Sequence, residues 1–250
     1  MSPWNQIFEK HNLSNHDFKF PYYITSKEIK EVSKHFSRTM HTDPRLLCSQ
    51  TTRESRPSCF VENGLFLLPV SKYRFAIVNG EGYVDVKIPP TVEPSDYANV
   101  LDFELETSDV GDSEMQHIDF AFANGILQDF TQDNTLNLTI RGRKYCPKFE
   151  FKVGDCDIEA HSVQTEVDAG YEGRSQVVLL EGKNRNTANT IIRQLYYPFR
   201  QWQSCTKKPV RSIFFEKRQG SYNLWEYEFL DVFDYNSITL KQFKQYKLTK

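Results

Sequence analysis

Two carboxylates, Asp168 and Glu181, are the side chains in this sequence best suited to holding a divalent cation, and the amine of Lys183 stands beside them. Glu181 and Lys183 close an apolar run, Val177-Val178-Leu179-Leu180, set between Gly173 and Gly182. Such a short aliphatic run, half of it β-branched, predicts a buried strand. Side chains alternate along a strand, so Glu181 and Lys183 leave it on one face. Glu166 and Asp168 stand two apart on the strand-like run 162–168, and Gly170-Tyr171-Glu172-Gly173 between the two runs is turn chemistry. A hairpin follows, which brings Asp168, Glu181 and Lys183 together with its register left open. Two acids and an amine beside a hydrophobic strand are costly unless something binds there. Mg2+, which takes oxygen ligands and keeps several waters, would offset them. The alternative is an ordinary cross-strand ion pair, worth about 0–1 kcal/mol if exposed.

The triplet alone is weak. Five [D/E]-x-K triplets occur, and 33 acids with 18 lysines in 250 residues give two or three by chance. Glu181-x-Lys183 differs by context: an apolar strand leads into it, a carboxylate-bearing strand precedes it, and a helix-like segment follows. Asp168 with Glu181-x-Lys183 resembles the PD-(D/E)XK pattern of type II restriction endonucleases. The wider runs Glu166 to Gly173, Glu181-Gly182-Lys183-Asn184 and Arg193 to Arg200 resemble one group of those enzymes more closely, as does Asp43-Pro44-Arg45-Leu46-Leu47 with Leu67-Leu68-Pro69-Val70. One departure is visible, Val167 where the motif has proline, and proline is its least chemically necessary part.

The resemblance implies an α+β (α/β) fold, a mixed β-sheet flanked by helices with a restriction-endonuclease-like core over 115–250. An acidic linker over 91–114 and a mixed helix and β-hairpin DNA-recognition region over 1–90 precede it. It implies Mg2+-dependent, sequence-specific hydrolysis of double-stranded DNA by a homodimer. A companion DNA methyltransferase would act on the same site without being bound. Asp168 and Glu181 would be the metal ligands, and Lys183 would hold or polarise the attacking water. Glu166 is an extra ligand or a supporting acid. Gln194 matches a glutamine that faces the site in several branches of the superfamily. Two other classes stay open: a structure-specific or exonucleolytic DNA-processing nuclease with the same triad, and a non-catalytic DNA-binding protein.

Several elements must position these groups. Thr25-Ser26 with Glu28 opens a helix whose Ile29, Val32 and Phe36 form one stripe. Strand-like runs follow at 64–69, 73–78 and 83–88, the last two joined by Asn79-Gly80-Glu81-Gly82. Helix then hairpin is the order of a winged helix, a fold-level analogy. Residues 115–130 predict one helix, 136–140 a strand, and 148–153 with 157–168 the rest of the sheet up to the site. The pattern predicts a helix over 190–202, then strands over 210–215 and 224–232. Lys241, Lys244, Lys247 and Lys250 recur every three residues and predict a solvated helical stripe. The candidate DNA contacts are Arg141, Arg143 and Lys144, a charged hairpin end or a phosphate site, then Arg53 and Arg56 in a polar stretch, and Arg193.

Composition bounds the rest. A hydrophobic content of 39% with 14% aromatics in 250 residues is that of a folded chain with one large core or two modest ones. Net charge is −2, yet no Lys or Arg lies between Lys87 and Arg141, where 11 acids fall, Asp109 among them. The remainder holds 31 bases against 22 acids, an excess of nine that suits a phosphate-binding face. No run reaches the ~18 apolar residues of a membrane span, and the first residues carry no secretory pattern. Five scattered cysteines without C-x-x-C argue against a disulfide framework or structural zinc. The expectation is a reduced, cytoplasmic, prokaryotic protein.

Overall fold

A computed structural model describes residues 2–98, 100–107, 110–184 and 186–249. Asp109 and Lys250, counted above, lie outside the described residues. The N-terminal region starts from local signals. Ser2 caps α1 (Pro3–Lys10), which has proline in its first turn. After β1 (Tyr22–Thr25), Thr25 caps α2 (Ser26–Ser33) through a capping box with Glu28. Two short turns, α3 (Thr39–Thr42) and α4 (Pro44–Leu47), and then α5 (Ser58–Glu62) lead into the hairpin β2 (Leu65–Ser71) and β3 (Arg74–Asn79). These strands form a three-stranded sheet in the order β1-β3-β2. A helix followed by a hairpin is therefore present, but its strands differ from the expected ones. The third strand run leaves the hairpin: β4 (Tyr83–Asp85) turns away after Gly82, where Phe66 already fills the space a Cβ would need.

The second region centres on a mixed seven-stranded sheet flanked by helices. β5 (Ser95–Ala98) is at one edge, so the expected 91–114 linker contributes a strand to the sheet. Then come α6 (Glu114–Ala123), α7 (Ile126–Thr131), β6 (Asn137–Tyr145), the ribbon β7 (Phe149–Val153) and β8 (Cys156–Ala160), β9 (Gln164–Glu172) and β10 (Val177–Lys183). The chain continues through β11 (Asn189–Ile191), α8 (Arg193–Gln203), β12 (Val210–Arg218), β13 (Ser221–Phe229) and β14 (Ile238–Thr249). Strand order is β5-β14-β13-β12-β10-β9-β6, with β10 parallel to β12 and β14 parallel to β5.

Three sequence expectations are corrected. The 115–130 helix is two helices, because Gly125 adopts φ +77° and ends the first. Residues 148–160 do not extend the main sheet; they form a separate two-stranded ribbon, and only the part from Gln164 onward joins it. Lys241, Lys244 and Lys247 lie on a strand, since pairing with the whole of β13 outweighs a lysine repeat. Lys241 and Lys244 there bind Glu226 and Asp129.

One face of the sheet packs on α6 and α7 through Ile118, Leu127, Val178 and Phe215. The other packs on α8 and the β7–β8 ribbon, in a cluster that also takes in Phe66, Leu68 and Val78 from β2 and β3. The N-terminal sheet is thus buried on both sides, because Leu65, Leu67 and Ile77 face α1, α2 and α5. No helix among the described residues is long and apolar enough to cross a membrane.

Candidate active site

The main sheet loses its regular ladder where chemistry was expected. β9 pairs with β10 only as far as Ala169 opposite Leu180, and two residues, Asp168 and Ala169, face the single Arg141 of β6 between Val167 and Gly170. In that irregularity Asp168 Oδ2 accepts the N–H of Gly182 at 2.7 Å, standing where a ladder carbonyl would be. Beyond it Glu181 and Lys183 continue β10 on the α8 side. Lys183 Nζ donates to Glu181 Oε1 at 2.5 Å and to Gly182 O at 2.9 Å.

The start of α8 brings Gln194, whose Nε2 donates to the same Glu181 oxygen. Its own carbonyl accepts from Thr190 Oγ1 at 3.3 Å, which turns the amide nitrogen toward the carboxylate. Glu114, the first residue of α6 after its Ser113 cap, enters from the opposite side of β10. No motif pointed to Glu114. It arrives because α6 crosses β10 at Gly182, where an added Cβ would meet Glu114 Cβ at 3.0 Å and Ile118 Cδ1 at 3.1 Å. A side chain at the x of Glu-x-Lys would press on α6, so glycine suits this close crossing.

These groups line one cleft of about 960 Å³. Glu114, Asp168, Glu181, Lys183 and Gln194 lie on one side with Arg143, Glu166 and Arg193, while Thr39, Asp43, Arg45 and Leu46 of the N-terminal region line it as well. Burial pushes the Glu181 carboxyl up to about 7, opposed by Lys183 and reinforced by Asp168. Burial likewise raises Asp168; the Gly182 N–H and Lys183 oppose this, and Glu114 and Glu166 add to it. Burial alone would lower Lys183, but Glu181, Asp168 and Glu114 outweigh it and hold the amine firmly protonated. The site has more negative charge than one ammonium offsets.

A divalent ion fits that donor set. The acids are oxygen donors held in a partly dry pocket, and both are displaced toward the neutral form that a cation would reverse. Among the described residues no three His, Cys, Asp or Glu side chains gather into a metal cage. Asp168 and Glu181 are the two acids there that could hold a divalent ion, whose remaining positions water would fill.

The other candidates divide. Arg193 lines the cleft, and Arg143 does so while paired with Glu166 at 3.2 Å. Lys144 is exposed on edge strand β6 and is not part of the cleft lining. Arg141 is held by Asp119. Arg53 and Arg56 are internal ties rather than a free basic surface. Arg53 pairs with Asp85 and Glu81 and donates its backbone N–H to Asn189 Oδ1 at 2.7 Å. Arg56 donates to the carbonyls of Arg53 and Leu65 and lies 5.2 Å from the Tyr83 ring. Their stretch looked like a polar loop because its acidic partners are distant in sequence.

The family model described as Domain of unknown function (DUF6997) matches residues 79–247. The chain belongs to that family. A second model, described as Domain of unknown function (DUF6996), matches residues 1–77. No curated protein and no solved structure matches the chain. All of Glu114, Asp168, Glu181, Lys183 and Gln194 fall inside the DUF6997 region, whereas Thr39 to Leu46 fall inside the other. The cleft is lined by both regions.

Proposed function

We propose that this DUF6997 protein is an Mg2+-dependent endonuclease of the type II restriction kind, with a restriction-endonuclease-like core that cuts double-stranded DNA. One observation carries the reading: Asp168, Glu181 and Lys183, with Gln194 fixed on Glu181, meet in a single cleft edged by Arg143 and Arg193. Phosphodiester hydrolysis asks for that set. The water oxygen bonds to phosphorus as one of its protons leaves to solvent, the P–O3′ bond breaks, and the 3′ oxygen gains a proton from solvent.

A bound Mg2+ supplies a Lewis acid and a water of lowered pKa. Asp168 and Glu181 would hold it. Lys183 orients the attacking water through its Nζ and offsets charge growing on the phosphoryl oxygens. Gln194 keeps the Glu181 carboxylate turned toward the cleft. Glu166 and Glu114 add negative charge at its margin, and Arg143 and Arg193 meet the flanking phosphates.

Cutting both strands of a palindrome calls for two such sites, hence a homodimer, and a methyltransferase protecting the same sequence in the cytoplasm. Incubating the protein with phage DNA and Mg2+ tests the reading on a gel. Discrete bands are expected. A smear or erosion from the ends would indicate a processing nuclease, and intact DNA would remove the assignment. Sedimentation of free and DNA-bound protein checks the dimer.

A further inference from the structure

The wall contributed by the N-terminal region has no role in the chemistry above, although it belongs to the same cleft. It consists of α3, α4 and Asp43 between them, and it is firmly mounted. Trp4 Nε1 donates to Leu47 O at 2.9 Å, Ser33 Oγ to Thr42 O at 3.2 Å, and Leu47 is buried among Ile7, Val32 and Phe60. What it turns outward is different. The Arg45 side chain is 89% exposed, Met40 is 73% exposed and Leu46 is 49% exposed. Among the described residues Arg45 is held only by Asp43, with Nε at 3.2 Å and Nη2 at 2.7 Å from the two carboxylate oxygens.

A guanidinium gripping a carboxylate with both prongs is presenting the geometry that fits a phosphodiester. We infer that α3 and α4 are the second jaw of the DNA site. Arg45 exchanges Asp43 for a backbone phosphate of the duplex whose scissile phosphate lies at Asp168 and Glu181. Leu46 beside it in the cleft gives apolar surface to the sugars and base edges.

The inference rests on the nuclease reading and adds to it an anchor outside the DUF6997 region. Arg45 acts as a binding residue, fixing where along the strand the carboxylates fall. The exchange also explains why an acid stands in a DNA-facing wall. Asp43 caps α4 by accepting the Arg45 N–H at 2.9 Å, and it holds the guanidinium in position until phosphate replaces it.

The test is fluorescence anisotropy with a short labelled duplex at several salt concentrations, with Ca2+ in place of Mg2+. Arg45→Ala is expected to weaken binding roughly tenfold and to reduce the slope of log K against log salt by about one. Asp43→Asn keeps a capping oxygen, removes the competing charge, and is expected to tighten binding. Unchanged affinity and slope in Arg45→Ala, with a wild-type circular dichroism spectrum, would overturn the inference. If binding depends on Arg45 but the wild type cuts no DNA in Mg2+, the nuclease reading fails and the second jaw remains. If the wild type cuts and Arg45→Ala binds and cuts equally well, only the second jaw is lost. A wild type that binds no duplex at low salt would end both.

Discussion

Two buried acid clusters sit on the same sheet and are compensated in opposite ways. On the α7 side Glu226 receives Arg211 at 2.9 and 2.6 Å, Lys241 at 3.2 Å and Gln242 at 2.7 Å. Burial would raise its carboxyl, but those donors win and hold it below the ordinary range. On the α8 side Glu181 and Asp168 share one lysine, and both are pushed upward. The first cluster is complete as a structural tie. The second is short of positive charge, which is how a site differs from a brace.

Mutation should separate the two most sharply. Replacing Asp168, Glu181 or Lys183 by alanine is expected to lower cleavage by about 10³-fold or more while DNA binding persists, measured by single-turnover assays and anisotropy. Retained cleavage in any of them, from protein free of contaminating nuclease, would sink the assignment. Glu226→Ala should do the reverse. It leaves Arg211 buried without its acid and is expected to cost about 3 kcal/mol in denaturant unfolding, with Mg2+ dependence unchanged in whatever remains folded.

Acidity provides a gentler contrast with opposite signs. The Glu226 carboxyl is depressed, so its contribution to stability is present above the unfolded value of about 4.5 and is lost as the pH falls through its folded value. Glu181 is raised, so without a divalent ion its contribution is full below about 4.5 and is lost as the pH rises toward 7. A cation that binds the ionised acid should restore it. The thermal shift produced by Ca2+ is therefore expected to be small at about pH 6, larger at about pH 8, and abolished in Glu181→Gln, the two values lying about 1 pH unit either side of the Glu181 midpoint of about 7. An equal Ca2+ shift at both pH values would break the comparison.

The smallest expected effect comes from Gly182. Gly182→Ala drives a methyl against Glu114 and Ile118. It should displace α6 and cost about 1–3 kcal/mol, with a modest loss of activity. No change in either, by thermal unfolding and cleavage assays, would mean that α6 is not packed as described.

Much of the site could be read from the sequence because it is local. The aliphatic run into Glu181-x-Lys183, the acid-bearing strand before it and the helix after it lie within about forty residues, and short-range periodicity reports them well. Gln194 was reached by resemblance, and the structure sets it on Glu181. Glu114 lies far back in an acidic stretch and was missed, because only the crossing of α6 over Gly182 brings it in. The same blindness to distant partners made Arg53 and Arg56 look available when Asp85, Glu81 and Leu65 already engage them. The β7–β8 ribbon was assigned to the wrong sheet for a related reason, since alternation reveals a strand but not its neighbour.

The hydrophobic cluster shared by β2, β3, the ribbon and α8 has a mechanical consequence. Tyr197 Oη donates across it to Pro69 O at 3.0 Å, so the two matched regions are welded rather than hinged. The gap between Arg45 and the carboxylates is then a fixed calliper, set during folding, and under the proposed reading a nucleic acid would have to conform to it instead of being closed upon. Expressed without residues 1–77, the remainder would expose an oily flank and be expected to aggregate rather than work as a smaller cutter.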